Sequence, residues 1–162
     1  MRVVEWTMHE LAANHSVFGL VKVVAVVSGH SAAKFMLPYY GCGALVLAIA
    51  FFGRLRRLPV ANQLLAVSVF MLMLPPISYF YTLVHLYAPF VVLVFIAVRA
   101  RTHIPGLTAT LLFFVPLFAS FTVFNFRSLF LFGGLVQALV LIALFVCALR
   151  FPFPEPGSTL GS

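Results

Sequence analysis

The chain has 162 residues, of which 64% are hydrophobic and only 8% charged, and its mean hydropathy is +1.15. Soluble domains carry about 25% charged residues, so this composition excludes an ordinary soluble domain and predicts an integral membrane protein. The apolar runs are continuous, which favours an all-α bundle of transmembrane helices. The net charge of +7 predicts no nucleic-acid partner, because the Lys and Arg residues flank apolar runs and form no basic patch.

Residues 1–36 are predicted to form an outward-facing interfacial segment. They lack the pattern of a signal peptide, because charged residues come before any apolar core. Asn14 or Ser16 can cap a helix that begins at Val17. The apolar stretch 17–27 has about eleven residues, too few to cross a bilayer, so we expect it to lie on the membrane surface. Such a beginning leaves two interpretations open: Met1 is the start of the gene product, or it is internal to a longer one.

Five transmembrane spans are predicted from the remaining apolar runs, since one crossing needs roughly 20 apolar residues of helix. The run from Leu64 to Val98 is too long for one span. Pro75 and Pro76 divide it, because proline lacks a backbone donor and disfavours helix at the residue before it. Pro116 is expected to kink the fourth span. The predicted spans cover about residues 37–53, 62–75, 80–98, 107–124 and 128–149.

The arginines orient this predicted bundle. They cluster after the first, third and fifth spans, whereas the opposite loops hold only Arg127. Cytoplasmic loops of membrane proteins are enriched in Lys and Arg, so these clusters and the C-terminus are predicted to be cytoplasmic. The tail, residues 150–162, is rich in Pro, Gly and Ser and is predicted to be disordered. The predicted location is the inner (plasma) membrane, crossed several times, with membrane lipids as partners.

Residues 73–89, MLPPISYFYTLVHLYAP, place polar side chains in the middle of the long apolar run. On a helix that begins near Ser78, side chains three or four positions apart share one face. Polar groups at membrane depth are costly unless they meet partners or water, so we expect this face to line a substrate cavity. An interfacial aromatic belt, and a hydrogen bond from His85 to a neighbouring helix, stay open as structural interpretations. The cavity candidates here are Ser78, Tyr79, Tyr81, Thr82 and His85.

Further polar residues fall on the same predicted outward face. Asn14, His15 and Ser16 precede the surface helix and are added to the cavity candidates. Arg127 can bind a lipid phosphate through its guanidinium, or it can be a snorkelling anchor. The histidine spacing fits no metal site, and the topology separates Cys42 from Cys147, so no metal, cofactor or disulfide is predicted. The catalytic residues are left unknown.

Two motifs follow one another in the first half of the chain. ANHSVFGLVKVV (13–24) is followed by a span, a basic loop, a second span and then LPPISYFYTLVHLYAP (74–89). This order resembles the C-terminal half of a bacterial family in the GT-C superfamily of membrane glycosyltransferases. Members of that family look like mannosyltransferases that use polyprenyl-phosphate mannose as the sugar donor. The resemblance covers residues 13–98. Within it, residues 14–16 would match an Asn-Gln-Ser-like element, and residues 76–79 a Pro-Ile-Ser-aromatic motif.

The resemblance implies transfer of a hexose from a polyprenyl-phosphate sugar to an envelope glycan or lipid acceptor on the non-cytoplasmic face. The lipid-linked sugar would be a substrate, and Ser78, Tyr81 and His85 would line its cavity. The chain departs from the family in having no Asp, the base that such enzymes carry near their N-terminus. Activity of this chain alone is therefore left open.

Three interpretations remain. The chain can be the C-terminal part of a transferase that needs a missing N-terminal half, or a non-catalytic membrane subunit or assembly module. The third, a transporter fragment, would be expected to pair broken helices in two repeats, and the sequence shows one broken stretch and no repeat.

Overall fold

The computed structural model describes residues 16–75, 80–100, 104–123 and 130–154. All regular structure in these ranges is helical, which confirms the predicted all-α fold. Short 3₁₀ helices occupy Ala32–Phe35, Leu55–Arg57 and Phe80–Leu86. The α-helices of the described ranges are α1 (Val17–Val27), α2 (Met36–Gly53), α3 (Val60–Met73), α4 (Tyr87–Arg99), α5 (Pro105–Val123) and α6 (Phe130–Arg150).

Prolines set several of these helix ends. Pro59 precedes α3 with φ −52° and ψ 152°, and Pro105 opens α5, where a missing backbone N–H leaves no helical hydrogen bond unmade. α3 ends at Met73, two residues before the double proline. Pro116 lies inside α5, and the kink expected there stays a prediction.

The segment predicted as one helix over residues 80–98 is divided in the structure. Phe80–Leu86 is a 3₁₀ helix, and α4 begins only at Tyr87. A 3₁₀ helix has three residues per turn, so Thr82 and His85 still lie on one line. Pro89 belongs to α4 and is buried, whereas His85 is exposed. The single α-helix predicted over residues 80–98 is therefore present only from Tyr87 onward.

The helices α3 to α6 form a bundle around one hydrophobic core. α3 packs against α4 and α6, and α5 packs against the same two helices, so the four close into a ring. α1 lies against α6 and buries Phe18 and Ala25, which are seven residues apart on one face. The large side chains buried completely in the bundle include Leu65, Leu86, Leu93, Leu107, Phe114, Leu117, Leu141 and Leu144.

Helix α2 stands at the edge of this bundle with its apolar surface open. None of its 18 residues is buried, and the exposed fractions are 84% for Leu37, 64% for Ile49 and 64% for Phe52. It touches the end of α3 near Gly43, where a Cβ atom would lie 2.7 Å from Cδ1 of Leu74. The absence of a Cβ at residue 43 thus permits this close approach.

Two helical stretches among the described residues are long and apolar enough to cross a membrane, judged by length and composition. They are Ala33–Arg57 and Thr82–Arg99. The apolar helices found at Val60–Met73, Pro105–Phe118 and Val136–Arg150 are shorter. Five membrane crossings therefore remain a prediction.

The last turn of α6 and the residues after it are held by a polar junction. Asn62, which is completely buried, donates from Nδ2 to the carbonyl oxygens of Ala148 and Phe151, both at 2.7 Å. Its Oδ1 accepts the backbone N–H of Phe153 at 2.8 Å. Arg54 donates to the carbonyl oxygens of Leu149 and Arg150. We call Arg54, Asn62 and residues 148–153 the C-terminal junction.

The C-terminal junction corrects the predicted tail. Residues 150–162 were expected to be disordered, but Phe153 is 1% exposed and belongs to the hydrophobic core. Phe151 lies against α5, where a Cβ on Gly106 would be 2.7 Å from its ring. Arg150 ends α6, and two aromatic side chains and the capping bonds hold residues 151–154, so the disorder predicted from residue 150 onward does not describe residues 150–154. Residues 155–162 lie outside the described ranges.

The molecule has two ends of different character. One end holds Tyr39 at the start of α2 and Met73 at the end of α3, and we call it the Tyr39 end. The other carries the C-terminal junction together with Arg54, Arg56, Arg57, Arg99 and Arg150, and we call it the arginine end. Each helix of α2, α3, α4 and α6 begins at one end and finishes at the other.

Candidate functional site

The candidate site residues fall partly within the described ranges. Ser16, Thr82 and His85 are described, and Tyr81 has a described backbone only. The remaining candidates lie outside the described residues: Asn14, His15, Ser78, Tyr79 and Arg127. The structure therefore places three of the predicted side chains and leaves the predicted cavity as a prediction.

Ser16 caps helix α1. Its side chain is buried, and its Oγ accepts the backbone N–H of Gly19 at 3.2 Å. This is the N-cap geometry that satisfies one of the free donors in the first helical turn. The prediction that Asn14 or Ser16 caps this helix is thus confirmed for Ser16. A role for its hydroxyl in binding a substrate would have to be compatible with that bond.

Thr82 and His85 lie on the 3₁₀ helix that follows the double proline. Leu83 and Leu86 of the same helix are buried and attach it to the bundle core. His85 is exposed, and Thr82 is partly buried. The leucines therefore face the bundle, and the imidazole is on an accessible surface where it can donate or accept a hydrogen bond.

Tyr39 connects helix α1, which begins within the first motif segment, to the end of α3, directly before the second motif segment. Its ring packs on Phe18 of α1, with the centroids 4.9 Å apart. Its hydroxyl donates to the carbonyl oxygen of Met73 at 2.6 Å. That carbonyl belongs to the last residue of α3, and the carbonyls of a last helical turn need partners from outside the helix, which Tyr39 supplies here. One side chain thus contacts both the short N-terminal helix and the helix that leads into the double proline.

Sequence reasoning did not select Tyr39. The signal was the pair Tyr39-Tyr40 directly after Pro38, at the start of the first predicted span. Tyrosine at that depth is typical of an aromatic belt, so the pair carried no separate prediction. A contact across 34 positions of chain depends on the bundle geometry, which the local pattern does not contain.

Aromatic rings line the contact between α4 and α5. Tyr87 and Phe118 stack in parallel, with the centroids 5.0 Å apart and the planes 7° apart. Phe90 packs edge-on against Phe118 and contacts Phe114. Tyr87 is the first residue of α4, so its stacked ring holds the start of that helix against α5.

The described residues contain no group of three or more His, Cys, Asp or Glu that can hold a metal ion. Cys42 is exposed and Cys147 is buried, and both are free thiols. All three glutamates of the chain, Glu5, Glu10 and Glu155, lie outside the described ranges. The polar chemistry of the described Tyr39 end is therefore that of hydroxyls, an imidazole and backbone groups.

Comparison with known proteins yields no relative: no family model matches the chain, and neither does any curated protein or solved structure. The glycosyltransferase resemblance consequently depends on the two sequence motifs and stays a prediction.

Proposed function

We propose that the protein is a multi-pass integral membrane protein whose helices α2 to α6 cross the bilayer, with the arginine end in the cytoplasm. The observation that carries this proposal is the open apolar surface of α2. Large apolar side chains such as Leu37 and Ile49 cover a helix in which no residue is buried. Water does not favour a continuous surface of this kind, whereas lipid acyl chains do.

The helix lengths support five crossings. At 1.5 Å per residue, 18 to 21 residues correspond to about 27–32 Å, the thickness of the hydrocarbon core. α2 has 18 residues, α5 has 19 and α6 has 21, and the 3₁₀ helix adds to α4 to give 18 over Thr82–Arg99. α3 has only 14, but much of it is buried among its neighbours, so it meets less lipid.

Cysteine labelling tests this topology. Ser31 and Pro152 are exposed and lie on opposite sides of the five proposed spans. In a background with Cys42→Ala and Cys147→Ala, we expect Ser31→Cys to react with an impermeant maleimide in intact spheroplasts. Pro152→Cys should react only after permeabilisation. The protein should also stay in the membrane pellet after alkaline carbonate washing. Labelling of both sites in intact spheroplasts, or release by carbonate, would contradict the proposal.

For the Tyr39 end we propose a part in glycosyl transfer. A hexose would pass from a polyprenyl-phosphate sugar to an envelope glycan or lipid acceptor at the non-cytoplasmic face. The support is that Tyr39 contacts Phe18, which lies within the first motif segment, and Met73, the residue directly before the second motif segment. Those segments are 50 residues apart in sequence, and Tyr39 lies between them.

The proposed roles follow the side chains that are present. His85 and Thr82 would hydrogen-bond the sugar or its phosphate, and Tyr39 would position the two segments. No Asp or Glu occurs between residues 16 and 154, so a carboxylate base for the acceptor hydroxyl, as the family resemblance implies, would come from elsewhere. Another subunit, or Glu5 and Glu10 of this chain, would be the source.

A transfer assay tests this activity. Membranes that contain the native gene product would be given a radiolabelled polyprenyl-phosphate hexose, and label in endogenous acceptors would be measured. We expect His85→Ala to lower transfer about tenfold, the effect of losing one hydrogen bond to a charged group. Val84→Ala is the matched control, because Val84 is the exposed neighbour on the same turn. Equal transfer by His85→Ala and the wild type would contradict the role of His85. Full transfer by membranes from a deletion strain would contradict the function.

A non-catalytic membrane subunit is the second candidate. The same lack of carboxylates between residues 16 and 154 favours it, because the family resemblance implies a carboxylate as the general base. Tagging the chromosomal copy after Ser162 separates the two candidates. A band well above the 17.9 kDa of this chain favours the enzyme. A band at that mass, migrating with a larger partner on a native gel, favours the subunit.

A further inference from the structure

The arginine end is an exposed cluster of cations, and the described residues place no carboxylate beside it. Arg54, Arg56, Arg57, Arg99 and Arg150 are all exposed. Residues 16–154 contain no Asp or Glu, and the nearest acid along the chain, Glu155, lies outside the described ranges. Charges of one sign at one end of a molecule attract counter-ions strongly when low-dielectric protein and membrane lie beside them.

The geometry of the C-terminal junction leaves most of these cations available. Helix α6 ends here, and its last carbonyl groups carry partial negative charge. Arg54 and Asn62 already donate to those carbonyls. Leu55 is completely buried and anchors the following turn, while Arg56 and Arg57 are exposed. An anion that approaches Arg56 and Arg57 therefore meets cations beside a helix end whose carbonyls are capped.

An apolar, aromatic surface adjoins these cations on two helices. Phe51 and Phe52 are exposed at the end of α2, with their ring centroids 5.4 Å apart. On α4, the Arg99 guanidinium lies 4.4 Å from the centroid of the exposed Phe95 ring. Side chains on a helix lean toward its N-terminus, so Arg99 extends back over the apolar part of α4. Each helix thus has aromatic rings next to arginine. A phospholipid has its acyl chains next to its phosphate, so the rings can contact the acyl chains while the arginines contact the phosphate.

We propose that the arginine end is a binding site for the headgroup phosphates of anionic phospholipids, with Arg56 and Arg57 as its main contacts. This proposal depends on the membrane location proposed above. The planar guanidinium matches phosphate with paired hydrogen bonds. A zwitterionic lipid carries an ammonium that offsets its phosphate charge, so the site should prefer phosphatidylglycerol over phosphatidylcholine. The occupant would be lipid from the same leaflet, held by its headgroup and by acyl contacts with Phe51 and Phe52.

Lipid titration of the purified full chain tests the site. Fluorescently labelled phosphatidylglycerol or phosphatidylcholine would be titrated into the detergent-solubilised protein, with anisotropy as the readout. Each arginine near an anionic surface contributes about fivefold in affinity, so the double change Arg56→Gln/Arg57→Gln should weaken phosphatidylglycerol binding about 25-fold. Lys34→Gln removes an exposed cation at the opposite end of α2 and should leave binding unchanged.

Further variants and a competitor distinguish the loss of a lipid site from misfolding of the variant. Arg56→Lys/Arg57→Lys keeps both charges and should bind within about fivefold of the wild type, since only the paired geometry is lost. Glycerol 1-phosphate at millimolar concentration should compete poorly, because it lacks acyl chains. Equal wild-type affinity for both lipids would overturn the proposal, as would equal losses in the Lys34→Gln and arginine variants. If only the Glu155→Gln variant preferred phosphatidylglycerol over phosphatidylcholine, the proposal would be overturned. That result would show that Glu155 pairs with the arginines in the wild type.

The membrane and lipid proposals can fail separately. Release of the chain by carbonate would remove the membrane proposal and this one with it. A chain that resists carbonate but binds both lipids equally would leave the membrane proposal standing and remove only the headgroup site.

Discussion

Replacing Asn62 with alanine is expected to lower the free energy of unfolding by about 3 kcal/mol. The variant loses three hydrogen bonds at a completely buried position. It leaves the carbonyls of Ala148 and Phe151 and the N–H of Phe153 without their partner. A buried polar group left without a bond costs about 1–3 kcal/mol, and partial entry of water or rearrangement recovers some of that. Equilibrium unfolding of the purified protein in detergent, followed by circular dichroism, measures the change.

Two variants show whether hydrogen bonding is the cause. Gln63→Ala is the neighbouring control, because Gln63 donates to the carbonyl oxygen of Leu58 at 2.8 Å and is only partly buried. It should cost about 1 kcal/mol or less. Asn62→Asp keeps the shape of the side chain but turns an acceptor toward two carbonyls, so it should destabilise at least as much as alanine. A neutral Asn62→Asp variant, or equal effects of Asn62→Ala and Gln63→Ala, would contradict the capping role.

The helices were the most predictable part of the fold. A backbone in an apolar setting must satisfy its hydrogen bonds internally, so a long apolar run implies a helix of similar extent. The first span was predicted over residues 37–53 and the helix is Met36–Gly53; the fifth was predicted over 128–149 and the helix is Phe130–Arg150. Pro75 and Pro76 predicted the end of α3, because proline has no backbone N–H to continue the helical hydrogen bonds.

Two local features were not predicted from the sequence, because their composition is typical of a different structure. Phe80–Leu86 fits the apolar pattern of a membrane helix, and hydropathy does not distinguish a 3₁₀ helix from an α-helix. Residues 151–154 share the Pro-rich composition of a disordered tail. Their two phenylalanines were the signal for packing, but whether a core has room for them depends on the distant residues Asn62 and Gly106.

The candidate site was less predictable than the fold for a related reason. Ser16 was recognised as a cap from the residues around it, since capping is a local interaction. Tyr39 bonds to a residue that lies 34 positions away in the sequence. Asn62 bonds to residues that lie 86 to 91 positions away. No periodic pattern encodes such pairs. Both side chains bond to backbone groups at the ends of helices. In an apolar helical bundle, polar residues near helix ends are therefore candidates for such long-range caps.

The two ends of the bundle are stabilised in the same way but serve different proposals. At the Tyr39 end, a phenol completes the last turn of α3, and at the arginine end, a guanidinium and an amide complete the last turn of α6. In a membrane protein such caps matter more than in water, because an uncapped carbonyl near lipid has no solvent to bond. The caps leave the adjacent polar side chains, His85 at one end and Arg56 and Arg57 at the other, on accessible surface.

The second large effect is expected from Phe153→Ala, which should lower the free energy of unfolding by about 3–4 kcal/mol. The ring is 1% exposed and belongs to the bundle core, and truncating a buried Phe to Ala removes its apolar contacts and leaves a cavity. Phe52→Ala is the matched control: the same side chain is 64% exposed on α2, and its loss should cost less than about 1 kcal/mol. Unfolding in detergent measures both.

Coupling between Phe153 and Asn62 distinguishes an ordered C-terminal junction from a ring that only fills space. Asn62 accepts the backbone N–H of Phe153, so the two should act as one unit. The double variant Asn62→Ala/Phe153→Ala should then lose at least about 0.5 kcal/mol less than the two single losses added together. Full additivity would mean that the ring and the amide act independently. A silent Phe153→Ala variant would mean that residues 151–154 do not pack on the bundle, and the arginine end would lose the helix cap on which its proposed lipid site depends.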